Sequence, residues 1–160
     1  MKRCGIAFAT LIMTLFFAAC NMREQNAHRT DQPTAVVTDK FGEGNLASIA
    51  LVDTKNYSES EIVQLLVSQW LSSYMLESAT EDSIADYSVE KITIVNNAAD
   101  YEIVAKVIFS IKPNQYSDNW ASMTTSSNNS NDPWWHLGST FGVIKEKDTL
   151  ILKLLPGWGT

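Results

Sequence analysis

The hydrophobic period of this chain changes once, and that change limits the folds open to it. From Ser58, the stretch SESEIVQLLVSQWLSSYMLES repeats apolar residues four apart on two adjacent rows. One row is Ile62, Leu66, Trp70 and Tyr74; the other is Val63, Val67, Leu71 and Met75. Together they make a stripe wide enough to bury one face of a helix. Ser58 with Glu61 three residues on forms a capping box. The serine side chain takes up a free backbone N–H and the glutamate reaches back, which fixes the helix start. Trp70 lies inside the stripe and reads as core. Beyond the helix the period is two. DYSVEKITIV (86–95) is a strand whose apolar phase slips between Val89 and Ile92, which predicts a bulge near Glu90-Lys91. YEIVAKVIFSIK sets Tyr101, Ile103, Ala105, Val107, Phe109 and Ile111 on one face, with Glu102, Lys106, Ser110 and Lys112 on the other, and Pro113 ends it. PWWHLGSTFGVIK alternates Trp135, Leu137, Phe141 and Val143, EKD closes a hairpin, and TLILKLLP is the last strand. Ahead of the helix, LASIALVD (46–53) reads as a first strand.

A single amphipathic helix among antiparallel strands buries both stripes on one core by lying across the sheet. The expected fold is α+β: one long N-terminal helix packed on a curved antiparallel sheet of four to five strands. The arrangement resembles the cystatin-like architecture and, more loosely, the nuclear-transport-factor-2-like cone. That resemblance is topological and carries no activity with it.

The first residues speak to location. Met1-Lys2-Arg3 is a basic start, and an uncharged, mostly apolar stretch follows from Gly5 to Phe17. It is shorter than the roughly 20 residues a spanning helix needs, and Arg23 and Glu24 soon follow. Basic start, short apolar run and small residues before a cut site describe a signal peptide. Phe17-Ala18-Ala19-Cys20 resembles the bacterial lipobox, with phenylalanine where that family prefers leucine. The resemblance implies a diacylglyceryl group on the Cys20 thiol and cleavage before it. Two acyl chains hold a domain stably at a bilayer where one does not. Cys4 would leave with residues 1–19, so the mature domain would have no disulfide and no cysteine for a metal site. Residues 20–44 read as the lipidated cysteine and a flexible tether, polar and interrupted by Pro33, Gly42 and Gly44, with His28 solvated within it. Residues 45–160 read as one α+β domain.

The net charge is −6, and −8 once Lys2 and Arg3 are removed. An acidic chain lacks the basic face that nucleic acid or an anionic membrane surface requires.

Little in the sequence points to chemistry. His136 is the sole histidine after the tether, and no G-x-S-x-G is present. One histidine with scattered acids is thin for a metal, and no phosphate-cradling loop occurs. Glu81 and Asp82 read as a solvated helix end. Neither a metal nor another cofactor is expected. What rises above background is aromatic. The run PNQYSDNWASMTTSSNNSND is long for a loop and polar, and Trp120, Trp134, Trp135 and Trp158 fall in or beside it or at the C-terminus. Successive strand residues face opposite ways, so Trp135 goes with Leu137 and Phe141 toward the core, and Trp134 goes with His136. Exposed indoles could stack on sugars or grip a peptide; packed ones would pin the loop to the sheet.

From Tyr57 onward the chain is similar to a group of small lipoproteins of Gram-positive bacteria. The likeness rests on YSESEI, YEIVAKVIFSIKP, a tryptophan-bearing loop and FGVIKEKDTLILKLLPGW, none of them a catalytic signature. NWASMTTSSNN stands where that group has a glycine-rich step. The resemblance implies a cell-surface setting. The expected protein is thus a non-enzymatic binding module anchored to the outer side of the cell membrane through Cys20. Trp120, Trp134, His136 and Trp158 would be its contact residues, toward a protein, peptide or cell-wall glycan. The alternative is a small enzyme with a cone-shaped pocket using His136 and a nearby acid. An inhibitor- or sensor-like accessory lipoprotein shares the fold analogy, but the chain has no glutamine-valine-glycine loop of the cystatin inhibitor type.

Overall fold

In the computed structural model, residues 36–37, 41, 44–76, 80–95, 100–125 and 132–155 are described. They belong to one unit, Pro33–Thr160. Cys4, Cys20, His28 and Trp158 lie outside the described residues.

The capping box forms as the sequence predicts. The Ser58 N–H donates to Glu61 Oε2 at 2.8 Å, and the Glu61 N–H donates to Ser58 Oγ at 3.4 Å. Helix α1 (Glu59–Met75) follows, and Ile62, Val63, Leu66, Val67, Trp70, Leu71 and Tyr74 are all buried. Met75 is 43% exposed, because it sits in the last turn where the helix runs out. No helix among the described residues is long and apolar enough to cross a membrane.

Six strands form one antiparallel sheet, curled into a half-barrel: β1 (Val36–Val37), β2 (Ala47–Ala50), β3 (Ile84–Val95), β4 (Ile103–Pro113), β5 (Trp135–Glu146) and β6 (Thr149–Leu154). Their spatial order is β1-β2-β6-β5-β4-β3. Two expectations are corrected here. The sheet has six strands rather than four to five, and α1 follows two of them where one strand was expected ahead of it. The extra strand comes from the expected tether, where Val36–Val37 pairs with Ala47–Ser48. Phe41, also in that stretch, packs its ring 4.4 Å from Trp120. The folded unit therefore begins before residue 45. Two short apolar contacts inside a polar segment leave no period to read. The strand expected over 46–53 is also shorter: Leu51–Thr54 turns as a 3-10 helix.

The bulge falls where the phase slips. Val89 pairs with Phe109 and Lys91 with Ile108, so Glu90 is the additional residue. It restores the inward phase, and Tyr87, Val89, Ile92 and Ile94 all face the core beside Ile111, Phe109, Val107 and Ala105. The β5–β6 hairpin turns at Lys147-Asp148, with Lys147 in the left-handed region at φ 54°.

Candidate functional site

The segment after β4 holds the first finding about the expected contact residues. Ser117 caps a one-turn helix, α2 (Asp118–Ala121), by accepting from the Trp120 N–H at 3.2 Å. Trp120 is 0% exposed, and its ring centroid lies 4.9 Å from Tyr74 and 5.6 Å from Trp70. Its indole N–H donates to the Asp82 carbonyl at 2.8 Å. Trp120 is thus part of the core, which corrects its expected place on an exposed contact surface. The reason is local: the capped turn swings the indole inward. The capping serine three residues ahead of the tryptophan was the available signal. Asp82 is likewise more than a solvated helix end, since its carboxylate accepts from Ser117 Oγ and Asn119 Nδ2.

Trp120 joins a cluster of aromatic rings packed between α1 and the sheet. Trp70 packs against Phe109 and Phe141 at centroid distances of 6.2 and 5.6 Å. His136 faces the other way, so the expected cone-shaped pocket between helix and sheet does not contain it.

On the outer face of the sheet, β5 sets His136 opposite Ser110 of β4. The Ser110 hydroxyl, in a residue 3% exposed, bonds both the Glu90 carboxylate and His136 Nδ1, the latter at 2.7 Å. The Glu90 bulge is what brings that carboxylate to the outer face. Glu90 Oε1 stands 3.4 Å from His136 Nδ1. A hydroxyl has one proton, and an ionised carboxylate can only accept. The Ser110 proton therefore goes to Glu90, and His136 Nδ1–H donates to Ser110 Oγ. In the neutral ring this leaves the lone pair on Nε2. Asp132 lies on that side, its Oδ2 3.9 Å from Nε2, while its Oδ1 accepts from the Trp134 N–H at 2.9 Å. Half the His136 side chain is exposed, at 49%. Trp134 is half-buried one residue past Pro133, and Trp135 turns inward with Tyr116 5.7 Å from its ring.

This arrangement orients an imidazole. It does not activate Ser110, because activation needs a base nitrogen accepting the serine proton, and here that proton is held by Glu90. Nor is any group of three or more His, Cys, Asp or Glu among the described residues placed to hold a metal ion. A shallow open depression lined by Asn45, Ser48, Glu146, Lys147, Thr149 and Ile151 lies at the β5–β6 hairpin, toward the far end of β5 from His136. His136 comes together with Ser110, Glu90 and Asp132, and Trp134 is tied to this group only through its backbone N–H on Asp132. Trp120 does not join them. The sequence pattern marks His136 as outward, while Ser110 and Glu90 were hidden: one was a small residue on a polar face, the other the residue at a phase slip.

The chain matches no protein-family model, no curated protein and no solved structure.

Proposed function

We propose that this protein is a lipid-anchored, extracytoplasmic binding module that uses no enzymatic chemistry and engages its ligand through the Trp134–His136 face. The observation that carries the reading is the fixed imidazole. Ser110 and Glu90 hold His136 Nδ1, so Nε2 is presented in a fixed direction, two residues along the chain from Trp134. Pre-set groups lower the ordering cost of binding. An indole with one nearby acceptor suits a sugar ring or an extended peptide. The domain itself is of the cystatin-like kind in this reading. Support comes from the 17-residue helix packed on a curled antiparallel sheet. Anchoring rests on the basic start, the apolar run and Phe17-Ala18-Ala19-Cys20.

The test is a tryptophan-fluorescence titration of residues 21–160 with cell-wall glycans and with peptides. A saturable change, lost in Trp134→Ala while the fold survives, supports the binding face. Equal saturation in parent and variant, or no change with either ligand class, overturns it. Anchoring is tested separately, by feeding cells an alkyne-tagged fatty acid. The full chain should take up label and sediment with membranes, and Cys20→Ala should do neither.

A further inference from the structure

We propose that β3 is the docking edge for a second copy of this chain, the two β3 strands pairing antiparallel about a two-fold axis between Glu90 and Lys91. β3 ends the sheet. It runs 12 residues and pairs with β4 on one side; among the described residues no strand pairs with its other side. An open edge presents backbone N–H and C=O groups to a further strand.

The side chains at this edge are cut off from full burial. Tyr87, Val89, Ile92 and Ile94 face the core yet are half-buried. Their neighbours on β4, Ile111, Phe109, Val107 and Ala105, are at most 1% exposed. Ser88, Glu90, Lys91 and Thr93 are exposed on the outer side.

The strand is complementary to itself in one register. Centred between Glu90 and Lys91, Val89 meets Ile92 of the second copy, Tyr87 meets Ile94, Ser88 meets Thr93, and Glu90 meets Lys91. Core-facing residues oppose core-facing ones and hydroxyl opposes hydroxyl; Glu90 Oε1 already accepts from Ser110, so the charge pair with Lys91 forms on Oε2. The bulge makes this register unique, because Glu90 and Lys91 both stand on the outer side. A shift of one residue opposes Glu90 to Glu90 or Lys91 to Lys91. A shift of two sets Val89 against Glu90, or Ile92 against Lys91. A bulge with charges guards an edge against indiscriminate pairing. Here the same feature selects one partner, and the contact is isologous, as a two-fold dimer requires.

Cysteine crosslinking of the full chain in membranes tests this. Within one strand, residues 88 and 93 lie about 17 Å apart, so they cannot bridge intramolecularly. Ser88→Cys/Thr93→Cys should give a crosslinked dimer under mild oxidation, as should co-expressed Ser88→Cys and Thr93→Cys chains. Each single variant alone should stay at the level of the unsubstituted chain. Adding Lys91→Glu to the double variant places two acids opposite each other and should lower the crosslinked fraction about fivefold or more, with an unchanged circular dichroism spectrum. Crosslinking no greater than in the unsubstituted chain overturns the proposal. So does equal crosslinking by either single variant, which would mark random collision.

Discussion

The Trp120 indole N–H donates to the Asp82 carbonyl at 2.8 Å, and this bond ties the segment after β4 to the turn that opens β3. Ser117 and Asn119 bond the Asp82 carboxylate, and the Asn114 N–H donates to the Ser83 carbonyl at 3.1 Å. The stretch is a latch that closes the aromatic core. Trp120→Ala should therefore cost about 3–5 kcal/mol, as for other buried aromatics. Trp120→Phe retains a ring but leaves the carbonyl without its donor, and should cost about 1–3 kcal/mol. Urea unfolding followed by far-UV circular dichroism measures both. A Trp120→Ala protein as stable as the parent would contradict the burial described.

Gly142 lies beneath the ring of Tyr101. A β-carbon there would come 2.6 Å from Tyr101 Cε1 and 3.1 Å from Cγ. Gly142→Ala should push the tyrosine off the sheet and cost about 1–3 kcal/mol. The penalty belongs to the pair, so it should shrink by more than half in a Tyr101→Ala background. A double-mutant cycle by thermal unfolding reads that coupling. Additive effects would mean that the ring does not cover the glycine.

The helix and the strand phases were legible because their signals are local. Ser58 and Glu61 are three residues apart, and the Val89-to-Ile92 slip is a break in a period of two. Trp120 was legible as an aromatic in a polar run, but its direction depends on Ser117 and on Asp82, 38 residues earlier. Val36–Val37 and Phe41 gave no period because each makes a contact too short to repeat. Of the outer-face site, His136 follows from alternation alone, while Trp134 precedes the first residue of β5. Ser110 joins His136 through strand register and Glu90 through a bulge, and both are properties of pairing across the sheet.

The capping box gives a prediction for the helix alone. Ser58→Ala removes the acceptor for the Glu61 N–H and one of the two donors to its carboxylate, the hydroxyl, while the backbone N–H of residue 58 remains as the other. The expected loss is about 0.5–2 kcal/mol. The urea midpoint should fall with an unchanged slope, since one cap does not alter the area exposed on unfolding. A shallower slope would show that the first turn unfolds on its own.

The last prediction concerns the imidazole. Because Ser110 gives its proton to Glu90, neutral His136 should carry its proton on Nδ1. The nitrogen-15 spectrum of the ring distinguishes this tautomer from the Nε2–H form that predominates in free histidine. In Ser110→Ala the hydroxyl bridge is gone, and the ring is left beside Glu90 at 3.4 Å. The tautomer should then be held less firmly, with ring signals moving toward those of free histidine. The fold should lose about 1 kcal/mol, the ordinary worth of a hydrogen bond. Ser110→Thr keeps the hydroxyl on a β-branched residue suited to the strand, and should retain the Nδ1–H signal. An Nε2–H form in the parent would reverse the direction of the bridge. It would leave the serine proton on the histidine side, the arrangement a nucleophile needs, and the site would have to be read again as chemistry.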